Sequence, residues 1–85
     1  MQLGMTIKAI ILCKLGINVI KSVIEDLKKI PQITKVMSLT GDYDLLAEAV
    51  VETPEELYEI FVNKIDMIDG ITVSNTHMVM KEFTK

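Results

Sequence analysis

Thr40-Gly41-Asp42-Tyr43-Asp44 puts two carboxylates, a phenol and a glycine into five consecutive residues. Glycine takes positive φ without steric penalty, one aspartate can bond its own backbone to set a turn, and the second is left as a free acceptor. Such a segment can simply close a hairpin. It can also hold a ligand, because carboxylates attract an ammonium group and turn N–H groups offer donors to an anion. Chemistry-bearing side chains are sparse elsewhere. His77 is the one histidine, in a strand-like run, and reads as a structural or exposed residue rather than a switch. Cys13, the one cysteine, lies in an apolar run and reads as an inert buried thiol; alone it forms no intramolecular disulfide and no multi-cysteine metal site. Met37, Met78 and Met80 read as gap-fillers of a core or an interface, and Glu48 with Glu52 as a solvated or interfacial polar pair.

Composition narrows the classes. At 85 residues the chain is one domain, 1–85, with no linker, low-complexity tract or solenoid repeat. Its hydrophobic fraction of 49% is high for a domain that buries only about 60 to 70% of the surface its unfolded chain exposes. Mean hydropathy is +0.36. Part of that apolar surface is therefore expected to pack against other copies. The net charge of -3, with nine basic residues that are all lysine, speaks against nucleic acid, where a basic stripe and arginine forks are the usual readers. The apolar run from Met5 to Leu15 is broken by Lys8 and Lys14 and is too short to span a bilayer, so no membrane role and a cytoplasmic location are expected.

Four strand-like runs alternate with two helical periods. A β-branched run over 6–14 predicts the first strand, ending at Leu15-Gly16. From Asn18 as N-cap, Ile20, Val23, Ile24, Leu27 and Ile30 recur at helical spacing, and Pro31 stops the helix. A second strand is expected over 33–40 and a third over 43–52. Pleating there puts Leu45, Ala47, Ala49 and Val51 on one face, with Leu46, Glu48, Val50 and Glu52 on the other. Thr53-Pro54-Glu55-Glu56 is a capping-box helix start. Leu57, Ile60, Phe61, Ile65 and Ile68 form that helix's core stripe, Tyr58 and Val62 widen it, and Gly70 suits a left-handed C-cap before a last strand over 71–82. The order β-α-β-β-α-β predicts an α+β, ferredoxin-like fold: a four-stranded antiparallel sheet with two helices on one face. The other face is left bare, and two copies packing sheet to sheet in a dimeric, barrel-like association would cover it.

On this plan the chain resembles the ligand-binding (RAM) domain of the leucine-responsive Lrp/AsnC regulator family. The residues behind the resemblance are Lys29-Ile30-Pro31, Val36, Leu39-Thr40-Gly41-Asp42-Tyr43-Asp44-Leu45-Leu46, Glu55-Glu56-Leu57, Ile68-Asp69-Gly70-Ile71, and a closing strand with Thr72 and Thr76. It covers essentially the whole chain. Only a handful of residues precede the first strand, so the resemblance implies a sensor domain standing apart from the family's helix-turn-helix. It further implies an amino-acid effector, a homodimer associating into a higher oligomer, co-assembly with full-length Lrp/AsnC regulators, no cofactor and no enzymatic activity. The effector of that family sits where dimers meet, with the turn between strands two and three contributing. That places Gly41, Asp42, Tyr43 and Asp44 at the site, with Thr72, Ser74 and Thr76 as neighbours.

The chemistry is compatible. A free amino acid presents an ammonium and a carboxylate on one carbon. Asp42 or Asp44 would take the ammonium, while N–H groups near Gly41 and a hydroxyl of Thr72, Ser74 or Thr76 would take the carboxylate, since the chain has no arginine fork. Two alternatives stand beside this. An ACT-type amino-acid-binding module shares the strand order, with slight support from Gly16-Ile17-Asn18-Val19. A small ferredoxin-like enzyme would need an acid-base or nucleophilic constellation, of which His77 alone is evident.

Overall fold

Two-residue alternation in the most apolar runs gives the sheet its two faces. The computed structural model of the chain describes residues 6–85; Met5, at the head of the first apolar run, and the rest of residues 1–5 lie outside them. The elements are β1 Ile7–Leu15, α1 Ile20–Lys28, β2 Ile33–Ser38, β3 Leu45–Val51, α2 Pro54–Ile60 running into a π-helical turn Phe61–Ile65, and β4 Ile71–Met78. Strand order is β2-β3-β1-β4, with every neighbouring pair antiparallel. This is the ferredoxin-like βαββαβ arrangement.

Register fixes which side chains share a face. On β1, Ile11 lies opposite Ala47 of β3 and Thr76 of β4, whereas Leu12 lies opposite Leu46 and Asn75. Ala9, Ile11 and Cys13 therefore join Leu45, Ala47, Ala49 and Val51 beneath the helices, all essentially inaccessible. Val23, Leu27 and Ile30 come down from the first helical segment, and Leu57, Ile60 and Ile65 from the second. Each fully buried Leu, Ile or Val contributes about 1.5–3 kcal/mol of transfer free energy. Burial pushes the Cys13 thiol up to about 11, in keeping with an inert group. Ile10, Leu12, Leu46 and Val50 line the other face and are only half-buried. The molecule measures 46 × 32 × 17 Å, one sheet and one helix layer thick, so that apolar face is open in the single chain.

Several local expectations are corrected. Asn18 does not cap α1: it sits at φ 61 in the tight turn after β1, a conformation asparagine tolerates, and Val19 is the capping position without a side-chain bond. Thr53 does cap α2, its Oγ1 accepting from Glu56 N–H at 3.0 Å. The Glu56 carboxylate reaches past Thr53 to the Glu52 N–H at 2.8 Å, and its second oxygen accepts from Gln32 Nε2 at 2.9 Å. Tyr58 and Val62 do not widen the stripe; they are 70% and 37% exposed. Val62 lies within the π-helical turn, which adds a residue to that turn, and Ile65 follows Ile60 into the core at a five-residue step. The strands end earlier than expected, β2 at Ser38 and β4 at Met78, although Val79 N–H still donates to Lys8 O at 2.8 Å. The three methionines fill no gap in this core: Met37, Met78 and Met80 are exposed.

Gly70 ends the second helical segment at φ +102, and its carbonyl accepts from Gly16 N–H at 2.8 Å. A Cβ there would meet Val19 Cγ2 at 2.8 Å and Val19 Cβ at 2.9 Å. Glycine at this position lets the segment before β4 lie directly on the start of α1.

Candidate functional site

The turn between β2 and β3 is fastened to the end of β1 by one residue. Asp44 Oδ2 accepts from Leu15 N–H at 2.8 Å, Asp44 N–H donates to Cys13 O at 2.9 Å, and Leu39 N–H donates to Asp44 O at 2.9 Å. Its carboxylate is thus partly a structural acceptor, with the second oxygen free of partners among the described residues. Gly41 supplies the turn's positive φ, +103, in open space, and Asp42 beside it is exposed.

Tyr43 leaves the turn toward the open face. Its Oη accepts from Asn75 Nδ2 at 2.6 Å, and Lys14 Nζ lies 5.6 Å from its ring centroid. Lys14 is opposite Val73, and Asn75 is opposite Leu12. The tyrosine therefore bridges from the β2–β3 turn across the end of β1 to β4, along the rim of the apolar sheet face.

The expected site residues separate into two groups. Gly41, Asp42, Tyr43 and Asp44 come together in the turn, and Thr72 stands nearby with its hydroxyl donating to Lys14 O at 3.1 Å, beside the β-bulge at Lys14/Leu15. Ser74 and Thr76 lie opposite Cys13 and Ile11, on the helix-covered side of the same strand. Thr76 Oγ1 is buried without a partner and faces a shallow groove of about 210 Å³ lined by Pro54, Leu57, Tyr58 and Phe61. Asn75 and Lys14 were not singled out from sequence. Alternation along β4 does separate residue 75 from 74 and 76, but only the pairing of β1 with β4 puts Asn75 against the tyrosine.

The open face also holds an ionic group. Lys8 Nζ lies 3.6 Å from Glu48 Oε2 and 2.9 Å from Glu82 Oε1, and the Thr34 hydroxyl bonds the Glu48 carboxylate. The Thr34 bond, followed by the charges of Lys8 and Lys35, holds the Glu48 carboxyl below its ordinary range against the opposing effect of burial. Glu48 is thus a partnered group amid Ile10, Leu12, Leu46 and Val50, whereas Glu52 is exposed and offers its backbone N–H to α2. Among the described residues no three His, Cys, Asp or Glu side chains cluster as metal ligands, and no helix is long and apolar enough to cross a membrane.

Comparison with known proteins agrees with this layout. The family model for the Lrp/AsnC ligand binding domain matches residues 8–85. The HTH-type transcriptional regulator FL11 of Pyrococcus furiosus is 34% identical over 79 residues, covering 93% of this chain and 52% of that protein. The chain thus spans about half the length of that regulator. A homocitrate synthase of Sulfurisphaera tokodaii is 34% identical over 77 residues, covering 89% of this chain and 16% of the synthase. Among solved structures, E. coli AsnC superposes with a TM-score of 0.90 at 24% identity over 99% of this chain and 57% of that one. A transcriptional regulator from Neisseria meningitidis, solved as an L-Met complex, gives 0.80 at 20% identity over 93% of this chain and 53% of that one.

Proposed function

The chain belongs to the Lrp/AsnC ligand-binding domain family, and from that premise we propose that it is an effector-binding and oligomerisation domain that takes a free amino acid at the rim of its open sheet face. The observation that supports this most is the Tyr43 bridge from the Gly41-Asp42 turn to Asn75, which sets acceptors, donors and an aromatic surface beside an uncovered apolar face. The free oxygen of Asp44, with Asp42, suits an ammonium; N–H groups at Gly41 and Asp42 suit a carboxylate. Thr72 stands at that rim, while Ser74 and Thr76 are open to an effector only from the helix side of the edge strand. The L-Met complex of the Neisseria regulator adds an amino acid on the same fold.

A second copy placed sheet to sheet would cover Ile10, Leu12, Leu46 and Val50, and the rim would then lie where such dimers meet. An effector bound at that contact shifts the assembly by its difference in affinity between the states that make and lack the contact. Transcription would be modulated indirectly, through co-assembly with full-length Lrp/AsnC regulators. A second reading, control of an enzyme, is favoured by the match to a homocitrate synthase stretch. Native mass spectrometry of mixtures separates the two, since hybrids with a full-length regulator support the first and hybrids with the synthase support the second.

The test is a thermal-shift screen of the twenty L-amino acids, followed by light scattering with and without each hit. A binder present at about 100 times its Kd stabilises by about 2.7 kcal/mol and should also change the assembly size. No shift with any of them at millimolar concentration would remove the amino-acid reading.

A further inference from the structure

The geometry points to Lys14 as the anchor for the effector's α-carboxylate, with the Tyr43 ring as its floor and Asn75 as the pin that holds the ring. This deepens the effector-binding reading above and rests on it.

An α-amino acid separates its two charges by one carbon, so a pocket that reads both needs an anionic and a cationic group within a few ångströms. Asp44 and Lys14 belong to the same end of β1 without forming a salt bridge with each other, which leaves both charges open to a ligand. The Asp44 carboxylate accepts from the N–H of Leu15, one residue after Lys14, and the Asp44 N–H donates to the carbonyl of Cys13, one residue before it. The anion and the cation are thus tied to the same three residues of β1. Of the lysines in ion pairs, Lys8 is held by Glu48 and Glu82, and Lys29 by Asp26. Lys14 forms no salt bridge among the described residues; it is exposed, and it lies over the Tyr43 ring.

The ring does two things for that lysine. Its face attracts the ammonium and keeps the flexible chain above the turn. Its Oη, fixed by Asn75 at 2.6 Å, stops the ring from swinging into solvent. The phenol's own hydrogen finds no partner among the described residues, so a second donor is available to the same carboxylate. With no arginine in the chain, this lysine is the cationic donor that the turn offers. Lys14 lies over the Tyr43 ring and Asn75 binds its oxygen, and the two come from different strands, so the arrangement exists only in the folded sheet.

The experiment compares an acid with its ester. The twenty L-amino acids are titrated calorimetrically into the wild-type chain, and the strongest binder is then titrated beside its α-methyl ester into Lys14→Met, Lys14→Arg and Asn75→Leu. Lys14→Met should weaken the free acid by about tenfold or more and change the ester by less than about twofold, because the ester has no charge for the lysine to read. Lys14→Arg, which keeps the charge and stacks on tyrosine, should stay within about threefold of wild type. Asn75→Leu should weaken the acid through loss of the ring's position. Melting temperatures without ligand should be unchanged for both Lys14 variants. Equal losses for acid and ester in Lys14→Met, or no loss at all, would overturn the assignment while leaving the effector reading intact. Failure of every amino acid to bind the wild-type chain would remove both.

Discussion

Replacing Asp44 by alanine and, separately, by asparagine divides its two roles. In the folded chain the Asp44 side chain accepts one hydrogen bond, from Leu15 N–H at 2.8 Å, while its backbone N–H and carbonyl are bonded to Cys13 and Leu39 whatever the side chain is. Alanine removes only the side-chain bond. A bond to a charged group is worth about 1.5–3 kcal/mol when buried, and this one is at an exposed residue where water can replace the acceptor, so the loss should be about 1–2 kcal/mol. For a domain of this size that is a fall in Tm of about 5–15 °C. Asparagine keeps an oxygen in the same place and should cost less than about 1 kcal/mol. Effector binding should order the variants differently. If the free carboxylate oxygen takes the ammonium, both variants lose the charge, and both should bind an amino acid about 10- to 100-fold more weakly. Circular-dichroism melts without ligand and calorimetric titrations with it give the two readouts. Asparagine destabilising as much as alanine would refute the hydrogen-bond account, and asparagine binding like wild type would refute the charge account.

Three further outcomes follow from the geometry. Gly70→Ala combines positive φ with a Cβ 2.8 Å from Val19 and should cost about 2–5 kcal/mol in urea unfolding, whereas Gly41→Ala, at a similar φ in open space, should cost about 1–2; equal losses would mean the contact with Val19 is irrelevant. Glu56 has its folded-state pKa below the ordinary 4.5, held down first by the Glu52 N–H and then by Gln32. Its contribution is therefore complete above about pH 4.5 and is lost as pH falls through the lower folded value, so Glu56→Gln should show a flatter decline of the urea midpoint as pH falls below about 4.5. An unchanged acid limb would sink that assignment. Leu12→Lys, at the centre of the open face, should raise the dissociation constant for self-association by about 100-fold or more in sedimentation velocity while the fold is retained, and association equal to wild type would show that this face is not the contact.

Much of the architecture was legible because it rests on local periodicity. The alternation at Leu45–Val51 separated the covered face from the open one, residue for residue, and Thr53-Pro54-Glu55-Glu56 located the start of α2. The failures were also local. Asn18 has the side chain of an N-cap but adopts φ 61, because the turn out of β1 demands it. Val62 fits an α-helical stripe, yet it falls inside a π-helical turn that no local periodicity announced, and Tyr58 is exposed as well. The Glu56 carboxylate spans one residue more than a standard capping box, since Gln32 of the neighbouring loop draws its other oxygen.

By itself the sequence determined the order of elements, the apolar faces they bury and the place of the acidic turn, since each depends on residues within a few positions of one another. The partners of that turn were decided only by the sheet. Period-two pleating tells which residues of a strand share a face, but not which residue of another strand lies opposite. That choice is made by the ladder between β1 and β4, with its bulge at Lys14/Leu15, which brings together a lysine, a tyrosine and an asparagine that are 29 and 32 residues apart along the chain.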